Sequence, residues 1–277
     1  SKNISNNNIA NNFNEQNKLA KTEQISIKTL EKNIAIDEDS DIDLPKNLIF
    51  RDHNYLDNIK SVQCYRKGFD QSIPIISYGS NEKVILKFDD FNEERTSYYV
   101  KLIHCDGAWS PSQIEAHEYI DGFDQDEITS VEPSFNTFHN YTNYQYTFPN
   151  DQLKVSLPGN YLLIVFEDND LNKLVLTRKL YINQPTALIN GEVTRPSSPK
   201  YMYTNQAVKF TIELNGFSIN NAFEDVRLVI SQNNRWDNQI TDLKPTFANN
   251  TKLTYFHQDN NHFPGCKEYR AIDTRNL

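Results

Sequence analysis

Cysteine, glycine, methionine and tryptophan are all scarce in this chain of 277 residues, which has 3, 8, 1 and 2 of them respectively. The odd and scattered set of cysteines excludes a disulfide framework, because at most one pair can form. No apolar run reaches the roughly 18 to 20 residues that a membrane-spanning helix needs, so we predict no direct membrane insertion. The formal net charge of −9 would repel a phosphate backbone, which predicts no nucleic-acid partner.

Aromatic residues are plentiful, with 15 Tyr and 16 Phe, although hydrophobic residues as a whole reach only 38%. This mixture favours β-sheet faces over helices. From Leu48 onward the sequence alternates in short runs separated by turn residues, as in a β-sandwich. The seven runs of the first series are IKSVQCY, IPIISY, KVILKFD, SYYVKLIH, YQYTF, NYLLIVFE and KLVLTRKLYI, and the second series consists of LINGEV, AVKFTIEL, DVRLVISQ and KLTYFHQ.

The predicted organisation is a polar tail followed by two domains. Residues 1–45 contain no glycine and end in the acidic run DEDSDID, which predicts a disordered tail. Pro185 and the PSSP run suggest a boundary near Gln184, so residues 46–184 and 185–277 are the predicted domains. The predicted fold class is therefore all-β: two consecutive Ig-like β-sandwich domains, with a short helix in a loop of the first and a disordered N-terminal tail.

The segment IHCDGAWSPSQIEAHEYIDGF is the most informative part of the chain. The alternation of the preceding SYYVKLIH predicts a strand that delivers His104, Asp106 and Trp109 to one loop. Ser112 and Glu115 have the spacing of a capping box for a short helix that Gly122 would stop. Such a corner suits either an active site or a well-packed bend of a sandwich.

This corner contains the residue types of a zinc site and of a hydrolase, but the sequence favours neither. The potential zinc ligands are His104, Cys105, Asp106 and His117, but their spacing matches no common motif, and adjacent strand residues point to opposite faces. Asp106 and the nearby glutamates could supply a hydrolase's two carboxylates, yet acidic residues beside a capping box usually favour the helix N-terminus. We therefore predict no catalytic residues, no metal and no cofactor.

The two tryptophans receive different predictions. Trp109 is expected to pack under its own loop, as most sandwich tryptophans do. Trp236, in the segment NNRWDN, is left open between core and surface. Its neighbour Arg235 would either pair with a partner's carboxylate or cap a strand end.

A family resemblance rests on seven longer words: IHCDGAWSPS, EYIDGF, SFNTF, YTNYQYTFPN, PGNYLLIVFEDND, TRKLYI and QNNRWDNQI. In this order they resemble the plug proteins of the bacterial type IX secretion system, from near Leu48 to the last residue. Departures are mild. Ala108 stands where the family usually has an acidic or polar residue, and Arg178 with Lys179 replaces the usual paired arginines.

The resemblance implies a non-enzymatic protein of the periplasm, at the inner face of the outer membrane. It implies that the protein binds and occludes the periplasmic end of the type IX outer-membrane barrel translocon. Family members run past the equivalent of Leu277, so the second domain is expected to be truncated. The candidate motif or partner-binding residues are Trp109, Ser112, Glu118, Tyr119, Asn136, Thr137, Tyr141, Tyr144, Arg178, Arg235 and Trp236.

Two alternative functions stay open from the sequence. One is a carbohydrate-binding or glycan-processing module of an exported protein, which an exposed coplanar aromatic platform would favour. The other is an adaptor that accepts a strand from another chain, which an exposed sheet edge would favour.

Overall fold

The computed structural model describes residues 44–92, 94–184, 186–216, 219–235, 237–241, 243–256 and 260–266. The chain divides into two compact units, residues 1–48 and residues 49–277. In the described part of the first unit, the Leu48 N–H donates to the Pro45 carbonyl at 2.9 Å. The predicted disordered tail, residues 1–45, lies outside the described residues except for its last two.

The described residues form 17 strands and one four-residue helix, which confirms the predicted all-β class. The helix, α1, is Ala116–Tyr119. The strands are β1 (His53–Asn54), β2 (Ile59–Arg66), β3 (Ile75–Ser77), β4 (Val84–Asp90), β5 (Tyr98–Cys105), β6 (Ile120–Gly122), β7 (Gln125–Glu127), β8 (Ser130–Pro133), β9 (Thr142–Phe148), β10 (Leu153–Val155), β11 (Gly159–Glu167), β12 (Leu174–Asn183), β13 (Ala187–Thr194), β14 (Asn205–Leu214), β15 (Phe247–Ala248), β16 (Lys252–Tyr255) and β17 (His262–Pro264).

Two sheets enclose one hydrophobic core. The six-stranded sheet has the order β1-β12-β11-β5-β7, with β3 added to β12, and the four-stranded sheet has the order β2-β4-β9-β8. Leu102 and Leu163 of the first sheet belong to the same buried cluster as Phe88 and Phe148 of the second. All seven runs of the first series contain strands, because each supplies apolar side chains at the period of 2 that a sheet face requires.

The hairpin between β11 and β12 follows the predicted pairing. The two strands are antiparallel, with Leu162 opposite Lys179. Asp168 and Asn169 both have positive φ, 52° and 59°. Asn and Asp tolerate this conformation better than most residues, so the turn forms where the sequence places them.

The short helix exists but begins later than predicted. Its N-cap is Glu115, whose N–H donates to Glu118 Oε1 at 3.3 Å, so the predicted Ser112–Glu115 box is wrong. Ser112 is instead held by β5, because its N–H donates to the His104 carbonyl at 2.9 Å. The helix ends before Gly122, where β6 has already begun.

A further sheet follows along the chain, with the order β13-β14-β16-β15 and with β17 paired to β14. Its buried cluster includes Phe210, Ile212 and Leu253. The run DVRLVISQ contains only an isolated bridge, between Ile230 and Ile240, so the strand predicted there is wrong. The division into domains 46–184 and 185–277 stays a prediction.

Candidate functional site

The loop after β5 is shaped by one carboxylate. Asp106 Oδ1 accepts hydrogen bonds from the Ala108 and Ser110 N–H groups at 2.7 and 2.9 Å. The Asn160 side-chain amide donates to the Asp106 carbonyl at 3.0 Å, which ties the loop to β11. Trp109 takes a positive φ of 68° at its apex. Asp106 therefore shapes the loop, because two backbone N–H groups donate to its Oδ1.

Trp109 lies half-buried against β12 rather than under its own loop. Its ring meets Tyr181 edge-on, with the centroids 5.2 Å apart. The Lys179 ammonium lies over the ring, 4.2 Å from the centroid. Burial lowers the pKa of Lys179, while the nearby Asp52 carboxylate opposes that shift. The Trp109 loop is thus clamped to the outer face of the six-stranded sheet by a cation–π contact.

The His104 side chain packs on the inner side of the same corner. Its Nδ1 is 2.8 Å from Ser112 Oγ, and its ring packs edge-on against Tyr161 and beside Tyr119. Burial lowers the pKa of His104. A Cβ at Gly159 would clash with the imidazole, so this glycine makes room for the ring. Ser112 and Tyr119 therefore act as packing residues around His104.

The remaining motif residue of the corner, Glu118, is exposed on the helix. Its carbonyl accepts a hydrogen bond from Ser156 Oγ at 2.6 Å. Together with the capping contact to Glu115, this bond fastens the helix to the segment after β10. Ser112 and Tyr119 thus pack around His104 and Glu118 follows on the same short helix, whereas Trp109 lies against Tyr181 and Lys179 of β12.

Arg178 points away from this corner. The alternation of β12 sends Lys179 to the outer face and Arg178 to the opposite one. The guanidinium donates to the His53 carbonyl at 3.0 Å and to Asn54 Oδ1 at 2.6 Å. Arg178 therefore secures β1 to the sheet edge, and these bonds give the motif residue a structural role.

Three further motif residues, Asn136, Thr137 and Tyr141, lie in a loop of residues 134–141 between β8 and β9, which we call the aromatic loop. Ser134 Oγ accepts a hydrogen bond from the Tyr141 N–H at 2.9 Å. Thr137 Oγ1 donates to the His139 carbonyl at 2.8 Å, and Asn136 takes a positive φ of 56°. The SFNTF word thus encodes a defined loop geometry.

A buried aromatic cluster supports this end of the four-stranded sheet. Tyr144 stacks on Phe88 with centroids 5.2 Å apart and meets Tyr98 edge-on at 4.8 Å. Its hydroxyl donates to the Thr96 carbonyl at 2.8 Å. The buried Asp90 accepts from the Tyr98 hydroxyl at 2.8 Å. Tyr144 is therefore a core residue with a satisfied polar end.

The last two candidates are separated from both groups in sequence. Arg235 is exposed and forms an ion pair with Asp237. Trp236 lies outside the described residues, so its predicted role stays open.

The potential metal ligands of the corner do not converge. Within the described part of the chain, no three His, Cys, Asp or Glu side chains are grouped as a metal would require. Burial raises the pKa of Cys105 to about 12, so its thiol stays protonated at neutral pH. His117 lies on the surface, where its Nδ1 is 3.1 Å from Glu115 Oε2.

No helix among the described residues is long and apolar enough to cross a membrane.

Residues 59–184 match the family model of the type 9 secretion system plug protein 1st domain. This match confirms the predicted plug-family resemblance over those residues. The matched segment contains β2 to β12 and therefore nearly all of the two-sheet core, together with the Trp109 corner and the aromatic loop. No curated protein matches the chain.

A solved structure supports the fold over a longer range. The crystal structure of a hypothetical protein from Parabacteroides merdae ATCC 43184 superposes with a TM-score of 0.76 at 28% sequence identity. The match covers 80% of this chain and 56% of that protein. The chain thus spans little more than half the length of its solved relative.

Sequence reasoning missed two kinds of residue. Lys179 and Tyr181 complete the Trp109 clamp, which only the register of β12 reveals. Phe135 and Phe138 are fully exposed, although both stand inside the word SFNTF that carried the resemblance. Their signal was present in the sequence: two phenylalanines lie in a polar turn with no alternating pattern to bury them.

Proposed function

We propose that this protein is a plug of the type IX secretion system that binds the periplasmic end of the outer-membrane barrel translocon and occludes it. The match of residues 59–184 to the plug protein's first domain carries the proposal. The protein would act in the periplasm, at the inner face of the outer membrane. Its role would be binding rather than catalysis, which suits the packing and loop-forming roles of the corner residues.

The packing of the matched segment suits obstruction. A wide membrane barrel has a polar, water-filled interior, so it leaks small solutes unless something folded blocks it. β11 is buried on both faces, from Tyr161 to Phe166, and its neighbours β5 and β12 pair with it over most of its length. A body built around such a strand resists local opening. It can therefore block a channel without any chemical step.

The direct test is copurification with the barrel. The translocon should be isolated from native envelopes in detergent, and this protein should appear with it at a constant ratio through a second purification step. An unrelated outer-membrane barrel from the same envelopes is the control. Absence from the translocon fraction, in cells that contain both proteins, would refute the proposal.

A cellular test separates a gate from a general envelope defect. Deleting the gene should raise entry of large antibiotics that the intact outer membrane excludes. Deleting the translocon as well should remove that leak, because the open channel is then gone. A leak that persists in the double deletion would indicate weakened envelope integrity and would contradict occlusion.

The geometry of the Trp109 corner does not support the glycan-binding alternative. Sugar recognition uses an open aromatic face, but the ring of Trp109 carries the Lys179 ammonium 4.2 Å from its centroid. The copurification experiment also distinguishes the two functions, since a glycan-binding module would be released from the envelope fraction by free saccharide.

A further inference from the structure

The aromatic loop holds two phenylalanines fully in solvent. Phe135 and Phe138 have relative exposures of 94% and 105%. Large apolar side chains so fully exposed on a fixed loop typically mark a binding surface, because each leaves its whole apolar area in water. Packing within the fold therefore does not account for these two phenylalanines, since neither ring is buried.

The loop is fixed by its own hydrogen bonds. Ser134 and Tyr141 join across its base, with the Ser134 N–H donating to the Tyr141 carbonyl at 2.8 Å. Thr137 Oγ1 contacts Ser134 Oγ at 3.1 Å and the His139 carbonyl at 2.8 Å. These bonds hold the segment around the two phenylalanines in one conformation. A partner would therefore meet a preorganised surface, which reduces the entropy lost on binding.

The apolar character continues at the base of the loop. Tyr141 lies beside Phe91, which follows β4 and is 40% exposed, with ring centroids 5.5 Å apart. Beneath them stands the buried cluster around Tyr144. Aromatic residues are enriched in the energetic centres of protein interfaces, and these rings share one end of the four-stranded sheet.

We propose that the aromatic loop anchors this protein to its protein partner, with Phe135 and Phe138 entering apolar pockets at the periplasmic rim of the barrel translocon. The identity of the partner rests on the proposed function above. The loop would supply the central contacts of that interface, and neighbouring polar residues would form its rim.

Charge favours a protein over a lipid surface. The segment from Ser130 to Asn143 contains no Lys or Arg and one carboxylate, Glu132. Loops that insert aromatic rings into anionic membranes usually add basic residues that hold the headgroups. The net charge of −9 opposes such binding further.

Area argues against a second copy of the chain as the occupant. An aromatic side chain buries about 150 to 250 Å², so a pair of such loops falls short of the roughly 1,200 to 2,000 Å² of a stable interface. The loop therefore fits an anchor within a larger, different surface.

The test compares three variants for binding to the purified type IX barrel in detergent. The double variant Phe135→Ser/Phe138→Ser should bind at least about 10-fold more weakly, as expected when interface anchors are removed. Phe135→Leu/Phe138→Leu should retain most of the binding, because it keeps apolar side chains. Phe123→Ser is the matched control, since Phe123 is 65% exposed but lies outside the loop, and it should bind like wild type.

The possible outcomes distinguish the proposed role of the aromatic loop from the proposed plug function. The Phe135 and Phe138 variants should melt like wild type, because both rings are fully exposed. If the wild type binds the barrel and the serine double variant binds equally well, the loop proposal is overturned while the plug function stands. If the wild type does not bind, both fail. Phe-dependent flotation with vesicles of phosphatidylcholine and phosphatidylglycerol would make the partner a membrane and overturn the proposal in favour of lipid.

Discussion

β12 and β13 are consecutive strands of similar apolar content, separated by only three residues, yet their environments are opposite. The side chains of β12 are mostly buried, and Leu176 and Leu180 are completely inaccessible. Every residue of β13 except the last is exposed, and Ile189 and Val193 have exposures of 63% and 66%. A pattern of apolar residues in a strand therefore does not determine burial.

The difference lies in the layers around each strand. β12 has β11 on one side, β1 and β3 on the other, and the four-stranded sheet over its inner face. β13 pairs with β14 alone among the described strands. Ile189 and Val193 stand beside Ile212 and Val208 on β14, so they extend the core face of that strand. In the described part of the chain, nothing buries that extension. A free apolar edge of this kind is what the strand-accepting alternative requires.

The largest expected contrast comes from truncating one aliphatic side chain in each strand. Leu180→Ala should lower the free energy of unfolding by about 2 to 5 kcal/mol, because it leaves a cavity in a closed core. Ile189→Ala should cost less than about 1 kcal/mol, since that side chain is already in water. Urea unfolding at fixed pH measures both. Equal losses would mean that β13 is covered in solution.

A second contrast uses a glycine from each region. Gly159→Ala should cost more than about 2 kcal/mol, because the new Cβ adds backbone strain to a clash with the ring of His104. Gly216, after β14, has φ of 82° but open space around it. Gly216→Ala should therefore cost only about 1 to 2 kcal/mol of backbone strain. Thermal unfolding of the two variants under one condition gives the comparison, and a reversed order would contradict the packing of His104.

Trp109 represents an intermediate case on the outer face of the six-stranded sheet. Trp109→Ala should cost about 1 to 2 kcal/mol, the sum expected for one edge-on aromatic pair and one partly exposed cation–π contact. This is below the roughly 3 to 5 kcal/mol of a fully buried aromatic, because the ring is only half-buried. Lys179→Met keeps the packing and removes the charge, so it should lose less than Trp109→Ala. A cost for Trp109→Ala as large as that of Leu180→Ala would place the ring in the core.

The smallest expected effect is a dependence on pH. Burial lowers the pKa of His104 from its ordinary value of 6.5, so the unfolded chain binds the proton more readily than the folded one. Its contribution to stability is therefore present above pH 6.5 and declines as the pH falls below that value. Unfolding midpoints between pH 7.5 and 5.5 should fall less steeply for His104→Gln than for wild type. Because burial also lowers the pKa of His53, the difference between the two slopes is the informative quantity, and identical slopes would contradict the assignment.

The sequence predicted much of the framework from local patterns. Alternating runs located the seven strands of the first series, and the Asp and Asn residues after Phe166 located the β11–β12 turn. The capping box forms between Glu115 and Glu118, one turn after the predicted pair, because Ser112 is hydrogen-bonded to His104 of β5 instead. Capping rules consider only the spacing of residues along the chain, so they do not include a competing hydrogen bond to a neighbouring strand.

The sequence by itself determined that this is a β-protein of negative net charge, and its longer words resemble the plug family, whose first-domain model matches residues 59–184. These properties depend on composition, periodicity and order along the chain. Only the tertiary structure decided which apolar residues are covered. Leu180 and Ile189 both stand in strand-like apolar runs, yet one is in the core and the other is in water. Burial depends on which layers meet above a side chain, and that is set by contacts between strands distant in sequence.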